Sequence, residues 1–447
     1  MRPLIGRFLL LAGANVAARG MAFAATVLVV RAFGSAGLGE LSFVLSIVTY
    51  AVTVGTCGLD LYAVRAVASR AAAVGDLARR VVVIRLALGT ATYVTLVALA
   101  LAVPSLRAVA GLVAVFGLSL LTTAVTLTWV AEGLQNVRVM ALTDVGTQGL
   151  YLLLLLAGVT LAGGLWVVPV AQLLAEGLIA AALIAWVWRT FPRPGPLLPR
   201  TQWRAILAQS APIGGARLLR AVAVGSDLVM LGFYVGMTEV GYYSAAYKLY
   251  LVGMSLGALY LVLMFPRIVR SASDSPAALQ REVHASFRFV LSVGIPAVAA
   301  LAACSPGLLG ALFGSPFQAG ARSLQLLLVT LLIQELTGHY RNVLLAQGRQ
   351  TTDLTLVAVS AAAHVGLKVT LIPELGIEGA ALGTLLGEAL LLILTWRSAR
   401  LHDGMPDREA AVPPPGRPRS GVRDNAHLLE GPSARYVGRR PAGWSPT

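Results

Sequence analysis

Twelve apolar runs, each about 20 residues or longer, follow one another along this chain with short polar breaks between them. Such a run is as long as the hydrocarbon core of a bilayer is thick. In hydrocarbon every backbone N–H and C=O has to find its partner within the protein, so the chain is restricted to a bundle of transmembrane helices. Charge agrees with this: 12% of the 447 residues are charged, against about 25% in soluble domains, too few to hydrate a soluble surface of this size. The runs predict helices near residues 8–30, 38–62, 80–103, 107–131, 140–163 and 165–188. A second set follows near 205–234, 241–265, 284–304, 320–345, 352–372 and 377–397. The first run follows Arg2, Pro3 and Arg7 without a small-residue cleavage site after it, which predicts a retained first helix and not a removed signal peptide.

The formal net charge of +15 would suit a nucleic-acid partner if the arginines formed one patch. They punctuate the apolar runs instead, so no nucleic acid is expected. One set of loops carries Arg65, Arg70, Arg79 and Arg80, then Arg138, then Arg189, Arg193, Arg200 and Arg204. The same side continues with Arg267, Arg270 and Arg281, then Arg349, then Arg397 and Arg400. The alternate loops carry little beyond Arg31, Arg107, Glu239, Glu374 and Glu378. The positive-inside rule then places both termini in the cytoplasm and makes the helix count even. The Ala/Arg-rich, Lys-poor composition points to a GC-rich bacterial genome and hence to a bacterial inner membrane. Cys57 and Cys304 lack metal-ligand spacing, so neither a metal site nor a cofactor is expected.

Organisation is legible in the middle and at the end of the chain. Prolines between Arg189 and Arg200 forbid a continuous helix, which predicts a cytoplasmic linker over 189–204 between a six-helix lobe at 1–188 and another at 205–400. Residues 401–447, rich in Pro, Gly, Arg and Ser, are expected to form a disordered cytoplasmic tail. The halves repeat. Gly34, Gly39 and Ser42 recur as Gly236, Gly241 and Ser244; Ala131–Gln135 recurs as Ala346–Gln350; and Glu176 recurs as Glu388 in a matching Leu-Leu-Ala/Gly-Glu context. An even number of helices per half relates the repeats by a pseudo-two-fold along the membrane normal, as in alternating-access transporters.

Several ordered segments resemble one family. They are Arg31–Gly39, Gly58-Leu-Asp60 with Arg65 and Ala68, Asp227–Phe233 and Glu239–Lys248. Phe265-Pro-Arg267, Leu312-Phe-Gly314 and Leu371–Ala381 with Thr384 and Glu388 complete the set. Together they resemble the polysaccharide-transport (Wzx-type) branch of the multidrug/oligosaccharidyl-lipid/polysaccharide flippases, over most of residues 1–397. The resemblance implies an all-α, MATE-like fold with a central cavity. It also implies movement of a polyprenyl-diphosphate-linked glycan from the cytoplasmic to the outer leaflet.

Moving a diphosphate through hydrocarbon calls for a hydrated, cationic cavity. Arg19 with Asn15 one turn earlier, and Arg217 with Arg220, lie within the first and seventh runs, and Asn15 overlays Arg217 in the repeat. A charge at helix centre costs about 2.5–3.5 kcal/mol and so faces a cavity or a partner; arginine's fork suits phosphate. The bland alternative is that these arginines snorkel to the surface. Lys248 stands in a Tyr-rich segment (Tyr242, Tyr243, Tyr247, Tyr250) that suits sugar stacking or, more commonly, an interfacial aromatic belt. Asp227 suits ion coupling or the neutralisation of a neighbouring arginine. Glu176 and Glu388 suit proton coupling or structural hydrogen bonding. Glu335, His339, His364 and Lys368 form a further intramembrane polar set, open to proton coupling or to ordinary interior roles. Asp60, Arg65 and Asp144 read as markers of helix ends.

No P-loop and no HExxH motif occurs, so ATP-driven transport and hydrolytic chemistry are not expected. The leading expectation is a non-enzymatic flippase for a lipid-linked saccharide, coupled to a proton or sodium gradient, with membrane lipids and glycan-assembly enzymes as partners. A drug or metabolite antiporter of the same fold, a membrane glycosyltransferase or polymerase, and a non-transporting scaffold are the alternatives.

Overall fold

The computed structural model describes residues 2–69, 74–191 and 200–400. The core of the expected linker, 192–199, the expected tail, 401–447, and the loop arginines Arg70 and Arg193 lie outside the described residues. The compact unit that holds the membrane helices runs from Met1 to Gly404.

Nine helical stretches among the described residues are long and apolar enough to cross a membrane, and two of them are folded in half. Gly34 (φ 67°) breaks Arg2–Thr56, and Gly376 (φ 57°) breaks Gln350–Arg400, each in a region of backbone space that glycine enters without a Cβ clash. Arg200–Tyr234 is long enough to span but carries Arg204, Arg217, Arg220 and Asp227, which lowers its apolarity. With the two hairpins divided and this helix added, the described residues hold twelve spans. They are α1 (2–33), α2 (35–56), α3 (Val74–Ala102), α4 (Ala110–Gly133), α5 (Val137–Leu161) and α6 (Val167–Thr190). The second half comprises α7 (Arg200–Tyr234), α8 (Met237–Asp274), α9 (Pro276–Phe313), α10 (Ala321–Ala346), α11 (350–375) and α12 (377–400).

Two details differ from expectation. The run 38–62 is not one helix: α2 ends at Thr56, Cys57 (φ 45°) and Gly58 (φ 71°) turn the chain, and a short helix, Leu59–Ser69, follows. Gly58 sits against the backbone of Ser210 and Gly214 in α7, where an added Cβ would lie 2.6 Å from Gly214 N. Helical order also runs into both ends of the expected linker, through Thr190 and from Arg200 onward.

The pseudo-two-fold is visible as reciprocal contacts between repeat-equivalent residues. Ser42 Oγ and Ser244 Oγ, one from each lobe, hydrogen-bond to each other at 2.6 Å. A Cβ on Gly39 would lie 1.8 Å from Met237 O, and a Cβ on its equivalent Gly241 would lie 2.0 Å from Ser35 O, the equivalent of Met237. Such pairing, i to j′ and j to i′, is the signature of an isologous two-fold contact. The glycines allow the α1–α2 and α7–α8 hairpins to meet backbone to backbone at the end of the bundle marked by few arginines. Within each half the repeat extends to side chains. Glu176 in α6 accepts a hydrogen bond from Thr122 in α4 (2.7 Å), and Glu388 in α12 accepts one from Gln334 in α10 (3.1 Å), with a separation of 54 residues in both lobes.

Candidate functional site

The lobes depart from their symmetry at α4. Its partner α10 is a continuous helix, whereas α4 is built of three pieces, Ala110–Gly117, Ser119–Val125 and Thr128–Gly133. At the second break Thr126 is extended (ψ 129°), which leaves backbone carbonyls without partners in the helix ladder. Inside a membrane, irregular backbone is tolerated where protein or a hydrated cavity satisfies it. Arg85 of α3 does so here: it is 2% exposed and donates to Thr123 O at 2.6 Å and Thr126 O at 3.3 Å. The same guanidinium pairs with Asp60 Oδ1 at 3.1 Å, and Asp60 Oδ2 lies 3.7 Å from Arg217 Nη1 of α7. Asp60 therefore ties the broken helix of one lobe to the seventh helix, in the other.

Beside the break lies a polar cavity of about 490 Å³, within the usual range of small-molecule sites, about 300–1,000 Å³. Its wall includes Asn15, Asp60, Arg85, Glu132, Asp144 and Glu176, with Trp129, Gln148 and Arg217 and several threonines. Four carboxylates thus meet two arginines, where the sequence leads one to expect a predominance of cations. Both arginines are engaged with Asp60, and Glu176 is held by Thr122 and by Gln172 at 2.9 Å. Glu132 and Asp144 make no hydrogen bond or ion pair among the described residues. Trp129 is 1% exposed, and its indole Nε1 has no hydrogen-bond partner; Arg85 Nε is buried and unpartnered as well.

The expected site residues do not form one cluster. Asn15 and Arg217 line the cavity. Arg19 joins it indirectly, donating to Asn15 Oδ1 at 2.7 Å and to Ser255 Oγ of α8. Arg220 is exposed, one turn beyond Arg217, and has no hydrogen-bond or ion-pair partner among the described residues. Lys248 is half-buried in α8 and does not line the cavity.

Asp227 and Lys368 form an ion pair deep in the second lobe, 1% and 0% exposed. The partner of Asp227 is this lysine and not a neighbouring arginine. Tyr243 OH also donates to Asp227, as does Thr384 Oγ1 at 3.1 Å, and Lys368 Nζ donates to Ser226 Oγ at 3.1 Å. Tyr243 and Tyr250 are fully buried and Tyr247 nearly so, so this tyrosine cluster is neither an interfacial belt nor part of the cavity wall. Tyr250 OH donates to Gln334 Oε1 (2.8 Å), which in turn supports Glu388, and Glu388 Oε2 remains unpartnered.

The set Glu335, His339, His364 and Lys368 divides between two places. His339 Nδ1 donates to Glu335 O (2.6 Å) and Nε2 accepts from Ser286 Oγ (2.6 Å), an interior histidine with both nitrogens satisfied. Glu335 is pressed against Gly257 of α8 with Oε2 unpartnered. His364 packs on Gly387 of α12 with Nδ1 unpartnered, one turn before Lys368.

Arg85, Trp129, Glu132 and Gln148 are site residues that sequence reasoning passed over. Arg85 falls five residues into an apolar run, where the cost of an intramembrane charge could have drawn attention to it. One further pattern, Gly253-Met-Ser255-Leu-Gly257, does have the Gly-x-Ser-x-Gly spacing. It lies inside the continuous helix α8 and not on a strand-to-helix turn, and Ser255 Oγ donates to Leu251 O (2.7 Å), so it is no nucleophile elbow.

Twelve spans among the described residues, with a polar cavity lined from both repeat halves, define a multi-pass membrane protein. The chain belongs to the polysaccharide biosynthesis protein family, whose model matches residues 6–272. No curated protein sequence matches it. Among solved structures it is similar to "Lipid II flippase MurJ, inward closed conformation" at 12% identity, TM-score 0.74, with 88% of this chain and 87% of that one covered. It is also similar to an inward-facing multidrug resistance MATE family transporter of the MOP superfamily (16% identity, TM-score 0.67, 86% and 94% covered). An outward-facing structure of such a transporter gives TM-score 0.59 at 15% identity, with 89% and 95% covered.

Proposed function

We propose that this protein flips a polyprenyl-diphosphate-linked oligosaccharide or polysaccharide repeat unit across a bacterial cytoplasmic membrane by alternating access. The observation that carries this is the polar cavity reached by residues of both lobes, set beneath hairpins that meet at repeat-equivalent glycines. Loop arginines place the sealed hairpin end outside and both termini in the cytoplasm. The cavity then opens toward the leaflet in which lipid-linked glycans are built. Lobes 1–188 and 205–400 rock about the Ser42–Ser244 contact, while the prenyl chain stays in lipid. Arg217 and Arg220, with Arg19 opposite on the equivalent helix, receive the diphosphate: planar forks that form two N–H···O bonds with one phosphate. Coupling to a proton or sodium gradient attaches to the second lobe, where Glu388 and Glu335 each keep one carboxylate oxygen free for a proton or cation.

A second reading has one observation in its favour. Carboxylates outnumber arginines in the cavity wall, which suits an organic cation and hence an ion-coupled drug or metabolite antiporter. The two are separated by reconstituting the purified protein in liposomes with a fluorescent polyprenyl-diphosphate saccharide and following leaflet exchange with an impermeant quencher. Wild type should accelerate exchange, and Arg217→Ala and Arg220→Ala, at matched incorporation, should fall toward protein-free liposomes. Exchange no faster than in protein-free liposomes across several glycans, together with gradient-driven uptake of a cationic dye, would replace flipping by antiport.

A further inference from the structure

The flippase reading leaves the head group's sugars without a place, and the structure offers one. We infer that the cavity beside the broken α4 is a sugar subsite that takes neutral or amino sugars of the lipid-linked glycan and rejects uronic acids. This rests on the flippase reading and adds a substrate class to it.

Three independent features point there. First, the site is built. α4 is interrupted at Thr126 and Leu127, Arg85 is buried to hold the freed carbonyls, and the continuous α10 offers no such break in the other lobe. Discontinuous helices inside a membrane are typical of substrate sites. Second, donors are left over. Trp129 Nε1 and Arg85 Nε are buried in the cavity wall without acceptors, although a buried polar group nearly always has a partner. A sugar hydroxyl or ring oxygen is an acceptor of the right kind. Third, acceptors are left over too. Glu132 and Asp144 face the cavity unpaired, and Gln148 adds both an acceptor and a donor. Carboxylates and amides are groups that hydrogen-bond sugar hydroxyls.

Sign discrimination follows from the same inventory. Arg85 is spent on Asp60 and the α4 carbonyls, and Arg217 is the cation left for the diphosphate, so a uronate brought into the cavity beside it would meet Glu132 and Asp144. Juxtaposed like charges cost several kcal/mol at a desolvated contact. A protonated amino sugar would gain from the same field, and an N-acetylated or neutral one would lose nothing. Arg217, at the edge of the wall, keeps the diphosphate at the mouth while the sugar goes deeper.

The test measures binding of two soluble short-prenyl diphosphate disaccharides to the purified full-length protein by calorimetry. One carries neutral N-acetylhexosamines and the other ends in a hexuronic acid. Wild type should favour the neutral compound by about tenfold or more. Glu132→Gln and Asp144→Asn should shrink that ratio toward one, and Gln148→Glu should widen it. Both directions are read as ratios on monodisperse protein, so a general loss of affinity cannot imitate them. A ratio unchanged in all three variants, with both compounds still bound, overturns the subsite while the flippase reading stands. Failure of wild type to bind either compound or to exchange any lipid-linked glycan overturns both.

Discussion

Replacing Lys368 with methionine should destabilise the protein by about 3–5 kcal/mol, the usual result of removing one partner from a buried ion pair. The geometry sets the size. Asp227 and Lys368 are almost wholly screened from solvent. Once the ammonium is gone, the carboxylate retains the hydroxyls of Tyr243 and Thr384 but no counter-charge. Asp227→Asn should cost a similar amount, because Lys368 would then hold only Ser226 and a neutral amide. Together the two substitutions remove both charges and preserve shape. The double variant should therefore lose less than either single one, so the coupling energy should be at least about 3–5 kcal/mol. The four proteins of this cycle can be compared by equilibrium unfolding in mixed micelles of mild detergent and sodium dodecyl sulfate. Additive losses, to within about 0.5 kcal/mol, would refute a direct pair. Single losses below about 1 kcal/mol would mean that water or bulk solvent reaches the two groups.

Arg85→Met should cost about 1–3 kcal/mol, since it leaves the carbonyls of Thr123 and Thr126 without a donor and takes the nearer partner from Asp60, which keeps Arg217. Arg85→Lys should recover part of that, because an ammonium supplies one charge but not a fork able to reach three acceptors; thermal midpoints of purified protein read both. Gly39→Ala places a Cβ 1.8 Å from Met237 O, a backbone clash no rotamer relieves, and overpacking of this kind costs about 1–3 kcal/mol. Because that cost falls on the state in which the hairpins meet, Ser244→Cys, in a background lacking Cys57 and Cys304, should react faster with an impermeant maleimide when Gly39→Ala is added. Unchanged labelling with a lowered unfolding midpoint would mean that the hairpin contact is a fixed part of the fold.

The membrane fold was largely legible because bilayer thickness and the repeat both act on one-dimensional features. Twelve spans, the Gly34 hairpin turn and the equivalence of Glu176 with Glu388 survive in three dimensions, although the runs 38–62 and 107–131 are interrupted, and the two glutamates meet equivalent partners in α4 and α10. What could not be read was which polar residues face one another. Glu335 and His339 share a helix face in sequence with the same spacing as His364 and Lys368, yet the pairs point to different neighbours. Asp60 does mark a helix end, in the first turn of Leu59–Ser69, but its partners, Arg85 and Arg217, come from helices distant in the chain and could not be read.

The repeat itself explains why matching positions reach Asn15, Glu176 and Arg217 of the candidate site but not Trp129 or Asp144. A pseudo-two-fold shared by both lobes gives a symmetric frame in which Gly39 matches Gly241 and Ser42 matches Ser244. A glycan head group has no two-fold symmetry, so a cavity shaped to hold one has to break the repeat. The break falls where one lobe interrupts α4, buries Arg85 beneath it and leaves Trp129, Glu132 and Asp144 without partners. The other lobe keeps α10 whole and closes its charges on each other as Asp227 and Lys368. On this argument binding selectivity belongs to the first lobe. Substitutions at Glu132 or Asp144 should change which glycan is accepted, whereas substitutions at Asp227 or Lys368 should change how well the transporter holds together.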